Sequence, residues 1–248
     1  YLQATNEWQL TSTAKYRFFH LNNVEKAEVF DQSIQVLETI IKPVHPTYKI
    51  DGYRAGGWCI QPFSDFSPYF KKHNITYDFS VLGGFYLFSN AQYFDFSETP
   101  KKNRYRFQEK VEVEEDDGDF TQFNISSIFL SKNIQLLNKI FLKLYSKFTG
   151  DHSFNRGQGQ IAVKLDPELI HPVTSGHDIL DSQWQRVAIE LLTAVTYRPY
   201  LSYFKQHDYM HFISHPKMLT GHNIKMFGQF LATVFKDFNV ETDFRKIL

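Results

Sequence analysis

The sequence predicts an α/β fold, and three observations carry that expectation. Glu25 to Ile41 sets Phe30, Ile34, Leu37 and Ile41 on one face at helical spacing. Tyr48 to Arg54 and Ile75 to Val81 read as strands on either side of a short helix, Asp65 to Lys72. Strand, helix, strand in that order implies a parallel pair with a right-handed crossover, which puts the chain after Arg54 at the carboxyl edge of its strand, where ligands commonly bind.

The first helix ends at Lys42-Pro43, because proline disfavours helical geometry in the residue before it. A second long helix follows from Ile134, Leu137, Phe141, Leu144 and Phe148 and stops near Gly150, a natural residue for a left-handed cap. Asp181 or Ser182 can cap a third helix running through Ala194, and Pro199 marks a break before Tyr200 to Lys205. Tyr209 to Ser214 reads as a short strand, and Asn223 to Phe238 as the closing helix. The aromatic and charged stretch 88–124 reads as an excursion within a single domain spanning 1–248.

Composition narrows the function classes. The chain has 248 residues, enough for one large core, with Lys plus Arg and Asp plus Glu equal at 27 each. No global field recruits nucleic acid or an anionic membrane. Aromatic residues make up 17%, with 25 Phe and 14 Tyr, which supplies core and also faces on which sugars stack. Cys59 is the lone cysteine, so internal disulfides and cysteine-rich zinc sites are excluded, and any metal must use histidine and carboxylate ligands. No apolar run approaches the roughly 20 residues that span a bilayer, so no membrane span is expected. The chain opens at Tyr1 rather than Met, which leaves room for a removed leader; the cytoplasm is the expected compartment over the periplasm or the exterior.

Gly52-Tyr53-Arg54-Ala55-Gly56-Gly57-Trp58 is the most informative stretch. A guanidinium offers a rigid fork of donors for a carboxylate, and small residues beside it keep space open for a ligand. Trp58 can stack on a pyranose ring or pack into the core. Asp78, among apolar neighbours in Tyr77-Asp78-Phe79-Ser80-Val81, needs a partner if buried: either a role orienting His215 or Arg54, or a cap on local backbone. His215 follows a strand end into Pro216, well placed for proton transfer near neutral pH. His20 is a candidate metal ligand, although nothing near it in sequence completes a site, and His152, His171 and His177 sit in apparent loops. The acidic run Glu112 to Asp119 lacks the ligand spacing of a calcium loop, and Gly157-Gln158-Gly159 lacks the residues that complete a phosphate loop.

These motifs, in this order, resemble the later motifs of the polysaccharide deacetylase (NodB-like) family. Tyr53-Arg54-Ala55-Gly56-Gly57-Trp58 is similar to its arginine motif, and Tyr77 to Val81, followed by Gly83-Gly84, to its Asp-Ser-Ser-Val stretch, with Phe79 replacing the first serine. Ile213-Ser214-His215 resembles the last motif, and Pro216-Lys217 points to the branch acting on bacterial surface polysaccharides. The resemblance implies a distorted (β/α) barrel, incomplete at its N-terminus, and metal-dependent removal of N- or O-acetyl groups from a sugar or polysaccharide. It implies a divalent ion, zinc with cobalt or nickel as alternatives, held by one Asp and two His, with a second Asp as base. His215 inherits the general acid role and Arg54 the contact that fixes the base, while Gly56, Gly57 and Trp58 fall to substrate binding. The family's Asp-Asp strand and histidine-rich metal motif have no counterpart here and are expected upstream of Tyr1. A non-catalytic glycan-binding or scaffold protein on the same fold is the alternative. A glycosidase would need a pair of carboxylates flanking a cleft, which the sequence does not offer.

Overall fold

The computed structural model describes residues 18–88, 92–150, 174–176 and 184–247. In chain order the elements are α1 (Asn23–Ile41), β1 (Gly52–Tyr53), α2 (Ser67–His73), β2 (Tyr77–Asp78), β3 (Tyr86–Phe88), β4 (Tyr93–Asp95), β5 (Arg104–Phe107) and β6 (Phe120–Phe123). They continue with β7 (Ser127–Phe129), α3 (Lys132–Thr149), β8 (Thr174–Gly176), β9 (Trp184–Arg186), α4 (Tyr197–Gln206) and α5 (Gly221–Asp237). Contacts divide the chain into two compact units: one takes α1 to β6 together with β8, the other β7, α3, β9, α4 and α5.

In the first unit, α1 starts where Asn22 accepts from the backbone N–H groups of Val24 and Glu25 while the Glu25 carboxylate accepts from Asn22 N–H at 2.9 Å, a reciprocal cap. Phe30 anchors α1 in the core, stacked on Tyr53 and Tyr69. Polar contacts lock it to the α2 region: Lys26 pairs with Asp65 at 2.8 Å, and Asp31 is shared by Lys72 and His73 at 2.6 Å each. The main sheet has the order β1-β2-β6-β5, parallel from β1 through β6, with β5 returning antiparallel. A second sheet, β4-β3-β8, is antiparallel throughout. Phe63 sits at the centre of the core, with edge contacts to Phe70, Phe107 and Phe120 at 5.2, 4.9 and 5.0 Å. Much of the phenylalanine content is therefore packing.

The expected distorted (β/α) barrel is not present among the described residues. The sheets are open, of four, three and two strands. Closing a barrel requires a continuous staggered ladder, but the parallel ladder ends after β6, where the antiparallel β5 becomes the edge. Within residues 88–124, β6 takes a place in the middle of the main sheet.

In the second unit, β7 and β9 pair antiparallel. Ile128, Leu130, Val187, Leu192, Tyr200, Met226, Phe230 and Val234 form the core. Ser131 and Thr220 cap α3 and α5, and Gly150 at φ 69° ends α3 as expected. Of the apolar series that marks α3, Leu137, Leu144 and Phe148 are exposed. The third helix expected through Ala194 is replaced, from Trp184 onward, by β9 and a single 3-10 turn, Ile189–Leu191. Pro199 falls inside the first turn of α4, where its missing N–H has no helical partner to lose. Among the described residues no helix is long and apolar enough to cross a membrane.

Candidate functional site

Arg54 is exposed one position beyond β1, and the turn it opens is held from beneath. The N–H of Ala55 donates to the Ser80 hydroxyl at 2.8 Å. That hydroxyl donates to Asp78 Oδ1 at 2.7 Å, and the Ser80 N–H donates to Oδ2 at 2.9 Å. Asp78 is fully buried, and its carbonyl accepts from Gln122 at 3.2 Å. Burial pushes its carboxyl up to about 7, against the hydrogen bonds from Ser80, Gln122 and Phe79 that favour the charged form. Asp78 thus caps local backbone and, through Ser80, fixes the chain beside Arg54. Phe79, which replaces the serine of the resembled motif, stacks on Phe123 at 5.3 Å.

The chain reverses at Gly57 and Trp58, which both have positive φ, 60° and 61°. For a tryptophan this is a costly conformation that persists only where the surroundings impose it. The surroundings are specific: the Gly57 carbonyl accepts from Gln92 at 3.2 Å, and Tyr93 N–H reaches Cys59 Sγ at 3.5 Å. Gln61 exchanges two hydrogen bonds with the Asp95 backbone, at 2.8 and 2.7 Å, and donates to Glu112 as well. A Cβ added at Gly56 would meet no atom within 4 Å, so there is open space at this position. Trp58 is turned inward, 9% exposed, with its ring edge-on to Phe94 at 5.6 Å; it is a packed side chain rather than a free stacking surface.

His215 lies in the second unit, and its partner is a residue that sequence reasoning does not single out. Ile213 forms a parallel bridge with Ala188, through Ile189 N–H to Ile213 C=O and Ile213 N–H to Val187 C=O, both 3.1 Å. Two residues beyond the bridged pair stand Glu190, inside the 3-10 turn Ile189–Leu191, and His215, which leads into a second such turn, Pro216–Met218. His215 Nδ1 and Glu190 Oε1 are 2.6 Å apart, and the His215 N–H donates to Oε2 at 3.4 Å. The Glu190 side chain is 1% exposed and that of His215 28%, so the carboxylate lies behind the imidazole. The guanidinium of Arg186 stands 3.9 Å from the same Oε1. Its own pKa is lowered by burial, with Glu190 opposing the shift. Beneath them the Tyr200 hydroxyl accepts from the Ala188 N–H at 3.2 Å and donates to the Ala188 carbonyl at 3.1 Å, filling both groups that point away from Ile213.

Arg54, Gly56, Gly57, Trp58 and Asp78 therefore belong to one unit and His215 to the other. His20 closes a 3-10 turn, Phe18–His20, ahead of α1. Among the described residues there is no group of three His, Cys, Asp or Glu side chains that could hold a metal ion. His152, His171, His177 and Gly157-Gln158-Gly159 lie outside the described residues. No family model, curated protein or solved structure matches the chain.

Proposed function

We propose that the chain serves a hydrolase that removes acetyl groups from a sugar or surface polysaccharide, as its resemblance to the deacetylase motifs implies. The observation that carries this reading is the Glu190–His215 pair: an imidazole with one nitrogen engaged by a buried carboxylate and the other without a hydrogen-bond partner among the described residues, an arrangement suited to proton transfer to a leaving group. In the reaction, water adds to the acetyl carbon and gives up a proton to the second Asp that the resemblance implies as base, the C–N or C–O bond breaks, acetate departs, and the sugar nitrogen or oxygen takes a proton. His215 supplies that proton from Nε2. The resemblance gives Arg54 the role of organiser; its turn, in the first unit, is held by Ser80 and Asp78.

The resemblance also implies a divalent metal that polarises the acetyl carbonyl. The described residues do not supply its ligand set, so no step of the chemistry is assigned to it.

The test is acetate release from acetylated chitooligosaccharides and from a surface polysaccharide, with zinc or cobalt added. Wild-type chain should release acetate, and His215→Ala should lower the rate by about 10²-fold or more. No release by wild type, or equal rates for the two proteins at full metal loading, overturns the reading.

A further inference from the structure

We propose that α3 docks the chain on an anionic membrane surface, lying in the interface with its lysines at the lipid headgroups and its apolar row among the acyl chains. The proposal stands apart from the hydrolase reading. One side of α3 is committed to the second unit: Ile134 packs against the core, Asn138 accepts from Thr193 at 2.7 Å, and the rings of Phe141 and Tyr145 lie 5.2 and 4.9 Å from that of His222. Leu136, Leu137, Ile140, Leu144 and Phe148 are left on the outward side, from 46% exposed at Ile140 to 81% at Phe148. Such a row is a continuous apolar surface, not a scatter of single side chains.

Charge identifies what covers it. Acids and bases balance over the whole chain at 27 each, so attraction to an anionic surface must come from a local patch. α3 holds Lys132, Lys139, Lys143 and Lys147 and no acidic residue. At about 100° per residue these lysines share a sector of about 80°, next to the sector of about 120° that holds the exposed apolar row. Their stems can lie along that row while the ammonium groups reach outward, the pattern of helices that rest in a bilayer interface. A second copy fits worse, because a two-fold pairing through this face sets the lysine rows of both helices together, with no acid on either to offset them. A helix entering a protein groove offers its whole apolar face, and here the part carrying Ile134, Phe141 and Tyr145 is already taken. A bilayer interface needs only the outer side.

The experiment is co-sedimentation of the full chain with vesicles of phosphatidylcholine alone and of an equal mixture with phosphatidylglycerol, in low and high salt. Wild type should bind the anionic vesicles, come off them in high salt, and leave the neutral ones. Lys139→Gln, Lys143→Gln and Lys147→Gln combined should weaken binding about 10²-fold, at roughly fivefold per lysine. Leu144→Ser with Phe148→Ser should weaken it about 10-fold or more. Lys101→Gln with Lys110→Gln, both exposed in the first unit, should leave it within about twofold. The altered side chains are all exposed, so circular dichroism should match wild type. If an α3 variant does not fold, a polarity-sensitive dye on Phe148→Cys decides, since the native Cys59 is buried: its emission should shift to the blue on anionic vesicles and stay unchanged on neutral ones. No binding to anionic vesicles, equal binding to both kinds, or an equal loss with the first-unit lysines overturns the proposal. So does self-association in sedimentation velocity that Phe148→Ser abolishes, which would make this face a contact between copies.

Discussion

Replacing Asp78 by asparagine should remove a pH dependence of stability that operates between 3.8, the ordinary value for this carboxyl, and about 7, its value in the buried site. Because the folded chain holds this proton more tightly, the unfolded chain releases it first as pH rises. The stabilising contribution is complete below 3.8, declines through the window, and is gone once the pH has passed about 7. A pKa difference of about three, at roughly 1.4 kcal/mol each, gives roughly 4 kcal/mol, a large share of a typical domain's stability. The asparagine side chain would keep the shape and an acceptor for Ser80 but carry no titrating proton. Urea unfolding followed by circular dichroism at several pH values across the window should therefore show wild type losing up to about 4 kcal/mol relative to Asp78→Asn. Asp31, Glu241 and Asp243, held below their ordinary values, and Glu112, raised by burial, are common to both proteins and cancel in the difference. Parallel stability profiles for the two proteins would refute the assignment.

Ser80→Ala leaves both the Ala55 N–H and Asp78 Oδ1 short of a buried partner and should cost about 2 to 4 kcal/mol in urea unfolding; a loss below about 0.5 kcal/mol would contradict the link between Asp78 and the Arg54 turn. Tyr200→Phe strips the hydroxyl from both polar groups of Ala188 and should cost about 2 kcal/mol, and hydrogen exchange at Ala188 should accelerate. Gly57→Ala should cost about 1 to 2 kcal/mol, because φ is 60° and the new Cβ would lie 3.1 Å from Gln92 Nε2. Gly56→Ala, with nothing within 4 Å, should stay within about 0.5 kcal/mol, and equal effects for the two would count against the account of the turn.

The sequence displays those features whose cause is local. Helical spacing around Phe30, the Pro43 stop and the Gly150 cap mark α1 and α3, and strand, helix, strand marks the parallel pair β1 and β2. Strands of two to four residues carry almost no periodicity, so neither the openness of the sheets nor the arrival of β6 beside β2 can be read. The α3 face departs from its apolar series because Asn138 turns inward to accept from Thr193 at 2.7 Å while Leu137 and Phe148 point outward. Glu190 is hidden in the apolar run Val187 to Leu192, whose period suits a helix. The one available signal is that a carboxylate in such a run needs a partner, and the register that supplies it joins residues 25 apart in sequence.

The parallel bridge between Ala188 and Ile213 separates what can vary from what cannot. A longer loop between α4 and Phe212 leaves the acid and the imidazole facing each other, because two main-chain hydrogen bonds join Ala188 and Ile213 and their neighbours directly. The facing of Glu190 and His215 is thus set by main-chain pairing at Ala188 and Ile213, with Tyr200 of the intervening helix holding Ala188 from its other side.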